Sequence, residues 1–509
     1  MSLQSIAGRM CAAVTLGVAL MARAASGATF TVTSTGDAGD AAPGNGLCAT
    51  AASTCTIRAA IQEANALAGA DTIAFAILSG PQSIAIFSAL PPVTDPATID
   101  GTTQPGYAGY PIIALSGVGL PPPSGLVVSA GSSTIRGLVI KSFASDGVRL
   151  VSGGGNTVER NFIGTNIAGT AASANLGSGL VVEQSSGNVI RYNLISGNVG
   201  DINNSDSGGI VLASGASDNL VASNLIGTDI AGINKLGNLG RGIAVRDAPD
   251  NTFRGNVISA NFGSGFRVYG AGSTGNLIEG NYIGIAIDRT LRGLGNFAGV
   301  QLRSDLNVVR GNLIAGNEDS GVLLYEGTSS NNVVQGNVIA YNSQNGVAVF
   351  SGRGNRISGN AIYANRLEAI DLSDMLGQDP SGVSPENLLG DGVTPNDAND
   401  PDTGQNDRQN YPEIQSAGYA GGLTNVAVTL NSVPSSQFDI DFYASLACDA
   451  SGHGEGQYPL GALRVATNGS GNASVSVAGA IDLRGYFLTV TATSLEGSTS
   501  EMSACRLVQ

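Results

Sequence analysis

The sequence predicts an all-β chain wound as a parallel β-helix of about ten turns, and three observations predict it. A short unit built on paired asparagines recurs eight times, with starts 23 to 32 residues apart. The segments between the asparagines are short, β-branched and alternating, and amphipathic helices of ten or more residues are missing from them. Glycine is abundant, 73 of 509 residues, about twice its usual ~7% share and without the every-third spacing of collagen.

The first element is a leader. Residues 1–28 read as a secretory signal peptide, with Arg9 before the apolar run Cys11 to Leu20 and small residues at Ala22-Arg23-Ala24 or Ser26-Gly27-Ala28 for cleavage. That run is too short to anchor a chain in a membrane, and no later segment offers a transmembrane span. Removing the leader leaves 22 basic against 39 acidic residues, a net charge of −17. Such a charge argues against a nucleic-acid partner, because phosphate binding needs a basic face. Four cysteines then remain, and an even number in an exported chain suggests disulfides. Pairing within each end, Cys48 with Cys55 and Cys448 with Cys505, is the simplest of three connectivities; free buried thiols are the alternative.

Residues 29–97 read as an N-terminal cap with first strands. Phe30 to Ser34 alternates as a strand, and Ile57, Ala60, Ile61, Ala64 and Leu67 share one face of a helix that Thr56 would cap.

Residues 98–375 carry the repeat, Asn-x-apolar-x-x-Asn-x-Ile. Its pairs are Asn156/Asn161, Asn188/Asn193, Asn219/Asn224, Asn251/Asn256, Asn276/Asn281, Asn307/Asn312, Asn332/Asn337 and Asn355/Asn360. The core unit is 23–25 residues, and some copies add about seven. A propeller blade needs ~40 residues and four longer strands, whereas three short strands fit one coil of a β-helix. Coils stack at the ~4.8 Å strand spacing, so ten make a rod of roughly 50 Å. Equivalent asparagines then stack as ladders, since Asn tolerates left-handed turns and its amide can bond the next amide. A third column is expected at Asn166, Asn198, Asp229, Asn261, Asn317, Asn342 and Asn365, broken by Ala286.

Residues 376–410, rich in Asp, Asn, Pro and Gly, read as a linker. Residues 411–509 alternate over Asn425–Leu430, Phe438–Tyr443, Leu460–Ala466, Ala473–Val477 and Phe487–Thr493, which suggests an antiparallel β-sandwich.

At Cys55-Thr56-Ile57-Arg58-Ala59-Ala60-Ile61 the chain resembles the CSLREA-type capping segment of bacterial secreted proteins, with Ala59 where that motif carries Glu. Leu90-Pro91-Pro92-Val93-Thr94 and Ile99-Asp100-Gly101 look like the first turns of the pectate-lyase-like superfamily. The resemblance covers residues 29 to 375 and implies a right-handed parallel β-helix covered by the capping helix. It is specific for fold and weak for function, because one fold hosts many sites. The tail is similar to a C-terminal module of secreted β-helix proteins, in which Cys448 and Cys505 would be the staple.

Enzyme signatures of that superfamily are poorly matched. Gly452-His453-Gly454 has the Gly-His-Gly form of polygalacturonases but lies in the sandwich, and no Asp-Asp pair accompanies it. The Arg-x-Pro-x-x-Arg element of familiar pectate lyases is missing. The better candidate is a surface. Aligning the Gly-apolar-x-apolar strands puts Arg246, Tyr269, Arg303 and Tyr325 on consecutive rungs of one outward column, with Arg267 beside them. Arg can fork onto carboxylates and Tyr can stack on sugar faces. The strip thus suits an acidic polysaccharide or a cell-surface or matrix glycan, in an adhesion or structural role; the plainer reading is a solvated sheet face. The alternative function is a polysaccharide lyase or glycoside hydrolase, with Tyr269 or Tyr325 as base. A second candidate is Asp400, Asp402 and Asn406, whose alternating oxygen side chains resemble a calcium loop, although Tyr411 stands where an EF-hand carries its last Glu. The expected location is extracellular or at the cell surface, with the periplasm as alternative.

Overall fold

The computed structural model describes residues 27–118, 124–200, 207–373 and 391–509. The expected leader lies outside them except for its last two residues, as does the linker before residue 391. Three parallel sheets of twelve, eleven and ten strands run the length of a β-helix. From Ala97 onward each coil gives one strand to each sheet. A representative coil runs Leu277–Glu279 (first sheet), Tyr282–Ile283 (second) and Val300–Arg303 (third) before the next begins at Val308–Arg310. The coiling starts earlier than the expected residue 98, because Thr29–Val32 pairs with Asp71–Phe75, and that strand with Ala97–Asp100.

Strand pairing is in strict register, so identical positions stack. Val309 lies between Ile278 and Val334, and Ile314 between Ile283 and Ile339, all fully buried. Each such side chain removed from water contributes about 1.5–3 kcal/mol. One rung leaves little width, and β-branched residues fill it.

Three asparagine ladders line the corners. In the first, Asn156 to Asn355, each Nδ2 donates to the next Oδ1 at 2.7–3.4 Å. In the second, Asn161 to Asn360, the distances are 2.9–3.1 Å. Within the coils, from Asn156 to Asn365, the ladder asparagines keep negative φ. The left-handed position is the residue just before, for example Arg160, Tyr192 and Ser223 at φ 55–56°. Asn is therefore selected for its amide and not for its backbone tolerance.

The third ladder differs from the expected column. It runs Asn175, Asn198, Asn238, Asn261, Asn296, Asn317, Asn342, Asn365. Asn166, Asp229 and Ala286 lie instead in loops inserted ahead of the ladder residue. There Asn166 Oδ1 accepts from Thr170 N at 2.9 Å, and Asp229 Oδ1 from Asn234 N at 3.1 Å.

The helix Ile57–Ala66 covers the first coil, with Thr56 Oγ1 accepting from Ala59 N at 3.1 Å. Ala59 is fully buried, and Glu63, also buried, accepts from the amides of Gly44 and Gly46 at 2.9 and 3.0 Å. Cys48 and Cys55 form one disulfide, Cys448 and Cys505 another. The C-terminal region packs a three-stranded antiparallel sheet (Glu413–Ala420, Leu423–Asn431, Asn472–Gly479) on a four-stranded one (Tyr458–Ala466, Gln437–Ser445, Phe487–Ser494, Arg506–Leu507). The first and last of these strands were not anticipated from alternation.

The two parts join through acids. Glu501 accepts from Leu372 N (2.8 Å) and Thr394 N (2.6 Å), and Glu455 accepts from Ala364 N (2.6 Å). Burial pushes Glu501 up to about 8, and Glu455 and Asp371 up to about 7. These acids keep their protons in the folded chain well above the ~4 of an unfolded one. The folded state therefore binds more protons across the window from about pH 4 to 8, and its stability falls as pH rises through it. In chelator-treated buffer the urea midpoint is expected to be lower at pH 8.5 than at 5.5, with a shallower trend in Glu501→Gln. A midpoint that climbs with pH would contradict this.

Candidate functional site

The outer face of the ten-stranded sheet carries the predicted strip, and strand register places its columns. Ala244, Arg267, Gln301, Leu323 and Ala348 stack in one; Glu183, Ala213, Arg246, Tyr269 and Arg303 stack in the other. Tyr325 follows Arg303, one residue past the strand Val322–Leu324.

The strip is unevenly exposed. Arg246, Tyr269 and Arg303 are half-buried, whereas Arg267 is 9% and Tyr325 1% exposed. Tyr325 packs with Leu323, Ala348 and Phe350 in a small apolar cluster. This corrects the expectation of a continuous outward strip: neighbouring apolar side chains on successive rungs bury one another. The Arg303 guanidinium lies 5.2 Å over the Tyr325 ring and pairs with Glu326. The Arg267 guanidinium stacks 5.2 Å over Tyr269. These contacts use the cations and rings on each other. Tyr325, so enclosed, is badly placed to act as a base.

The open part of this face lies toward the N-terminal end. A cavity of about 260 Å³ is lined by Asp146, Arg149, Ser178, Glu183, Ser207 and Arg246, with Val181, Val211 and Ala213 also in its wall. Arg149 bridges Asp146 and Glu183, at 2.7 Å to each. Asp146 also accepts from Ser178 N at 2.8 Å. Arg246 makes no ion pair and no ring contact among the described residues. Strand register puts Arg149 and Glu183 in the same two outward columns, Arg149 below Val181 and Glu183 below Ala213. Their opposite charges, on adjacent columns one rung apart, were the signal for this network.

The acidic loop is assembled differently from its expectation. Asn406 is no cation ligand: its Oδ1 accepts from Asn355 N (2.9 Å), and its Nδ2 donates to the carbonyls of Asn355 (2.7 Å) and Thr499 (3.0 Å). It is the last member of the first asparagine ladder. Asp397, which the sequence reading passed over, joins Asp400 and Asp402 instead. Burial raises the carboxyls of Asp400 and Asp402, that of Asp400 to about 6. His453 stands edge-on to Tyr411 with ring centroids 5.3 Å apart, and its Nδ1 is 3.1 Å from the Met502 carbonyl.

The family described as "Right handed beta helix region" matches residues 122–289 and 227–377, together half of the chain. No curated protein matches it. Among solved structures the chain is similar to an alginate lyase from Paenibacillus sp. str. FPU-7, at 14% identity over 67% of this chain and 97% of that one, TM-score 0.35. It is similar to the A-module of a mannuronan C-5 epimerase from Azotobacter vinelandii, at 18% identity over 62% and 84%, TM-score 0.36. It is also similar to ORF18 of Geobacillus virus E2, at 13% identity over 93% and 78%, TM-score 0.41. These likenesses concern the course of the backbone.

Proposed function

The chain belongs to the right-handed β-helix family, and from that premise we propose that it is an exported glycan-binding protein that holds an acidic polysaccharide against the outer face of its ten-stranded sheet. The observation that carries this reading is Arg246. It lines the polar cavity, and among the described residues its guanidinium makes no ion pair with a carboxylate and no contact with a ring. A uronate carboxylate would supply the partner, in a forked, charge-assisted geometry. The Asp146–Arg149–Glu183 network beside it offers donors and acceptors for sugar hydroxyls, and the Val181, Val211 and Ala213 wall suits a sugar's C–H face. Tyr269 and Arg303 continue the same column, which would let a polymer run along the rod.

Export is supported by the leader sequence and by two disulfides, which persist in oxidising compartments. Among the described residues no helix is long and apolar enough to cross a membrane.

Affinity electrophoresis in gels holding a uronic-acid polymer tests the reading. Losing a charge-assisted hydrogen bond costs about 1.5–3 kcal/mol, so Arg246→Ala is expected to weaken retention about tenfold or more. Arg303→Ala, already paired with Glu326, should change it far less. Equal retention of wild type and Arg246→Ala would sink the proposal. Unsaturated products that vanish in Tyr269→Phe would instead establish the lyase alternative.

A further inference from the structure

The loop that joins the β-helix to the sandwich holds three carboxylates with no evident purpose in glycan binding. One carboxylate oxygen each from Asp397, Asp400 and Asp402 lies within 4.8 Å of the other two. Like charges at that separation repel, and folding needs a reason to hold them there. Asp400 is 8% exposed. Its Oδ2 is fixed by Gln409 Nε2 at 2.8 Å and by the Ser432 hydroxyl. Among the described residues its Oδ1 is buried without a hydrogen-bond partner, and the Oδ1 atoms of Asp397 and Asp402 are in the same condition. A buried acceptor left unsatisfied costs about 1–3 kcal/mol, so three together mark a place built for another donor of positive charge. The loop is also held rigid around them. Asp397 N donates to Asn410 Oδ1 (3.1 Å), Asn410 Nδ2 donates back to the Asp397 carbonyl (2.7 Å), and Asn396 and Tyr411 exchange a similar pair (2.8 and 2.9 Å). Arg408 is the basic side chain that acts on Asp402.

We propose that Asp397, Asp400 and Asp402 bind one hard divalent cation of the calcium type. Carboxylate oxygens are the donors such ions prefer, and calcium tolerates the irregular geometry of a loop better than magnesium does. The same loop supplies Asn406 to the end of the first ladder, so the bound ion would stiffen the joint between rod and sandwich. This proposal stands apart from the glycan reading and is tested separately.

The test is calorimetric titration of calcium chloride into the full chain after chelator treatment and dialysis, with thermal melts in parallel. One equivalent should bind, with a dissociation constant of about 10⁻⁴–10⁻³ M or tighter, and the melting midpoint should rise by about 1 °C or more in 5 mM calcium. Asp402→Asn and Asp397→Asn alter the less buried members of the cluster. Each should fold and weaken binding about tenfold or more while leaving retention on the glycan gel unchanged. Absence of both binding heat and midpoint shift up to 10 mM calcium overturns the proposal, as does undiminished binding in both variants.

Discussion

Asn256→Ala is expected to lower the unfolding free energy by about 4 kcal/mol. Asn256 is fully buried in the middle of the second ladder. Its Oδ1 accepts from both the backbone N and the Nδ2 of Asn224, each at 3.0 Å, and its Nδ2 donates to the Val221 carbonyl and to Asn281 Oδ1, each at 2.9 Å. Alanine leaves the Asn224 backbone N–H without its acceptor, a cost of about 1–3 kcal/mol, and removes three further bonds whose other ends keep partial substitutes, at roughly 0.5–1 each. The void left by the amide adds to this. Asn166→Ala is the control. Asn166 lies in an inserted loop, half-exposed, and should cost about 1 kcal/mol or less. Urea unfolding of the two variants separates the readings; equal midpoints would mean that the ladder contributes nothing beyond a surface turn.

Gly242→Ala is expected to be nearly as damaging, about 3 kcal/mol, through crowding. A Cβ there would lie 2.4 Å from Ile258 Cγ2, 2.7 Å from the Gly265 carbonyl oxygen and 3.0 Å from Asn261 Nδ2. The rungs on either side are packed in the same way: Gly209 against Ile226 at 2.8 Å and Gly265 against Ile283 at 2.7 Å. No neighbour can yield along the axis without meeting the next, and overpacking of this kind costs about 1–3 kcal/mol even where some relaxation is possible. Gly280→Ala makes the contrast. Gly280 has φ +63° but nothing within 4 Å of a Cβ, so only the backbone penalty of about 1 kcal/mol applies. Thermal melts that rank Gly280→Ala as the more damaging variant would reject the packing argument.

That glycine column also shows what was readable in the chain. The unit Asn-x-Ile and the strand Gly-apolar-x-apolar meet in one contact, the Ile methyl against the glycine of the preceding coil with the third ladder beside it, and so the coil could be inferred from spacing. The third ladder was misplaced at Asn166, Asp229 and Ala286 because counting forward from the Ile runs into inserted loops. Counting back four residues from Gly179, Gly242 and Gly265 arrives at Asn175, Asn238 and Asn261, the true members. The outward columns of the site were legible because strand periodicity and register fix them. The burial of Arg267 and Tyr325 was not, since it depends on what covers that face. Asn406 was read as a ligand because its ladder partner, Asn355, lies 51 residues upstream. Glu501 has the same difficulty, with its partners Thr394 and Leu372 at 107 and 129 residues.

The strict register of the ladders has a genetic corollary. Each rung presents to the next the same three amides that it receives from the one before, so a coil such as residues 307–331 is a self-contained cassette. An in-frame duplication of that stretch would add one rung, ~4.8 Å of length, and leave the helical lid at one end and the Asn406 closure at the other untouched. A duplication that ends part-way through an Asn-x-apolar-x-x-Asn unit would instead break the ladders, whereas extra residues in the inserted loops leave them continuous. The gene can therefore drift in length by whole coils, and a family of such rods is expected to differ in reach while keeping the same two ends.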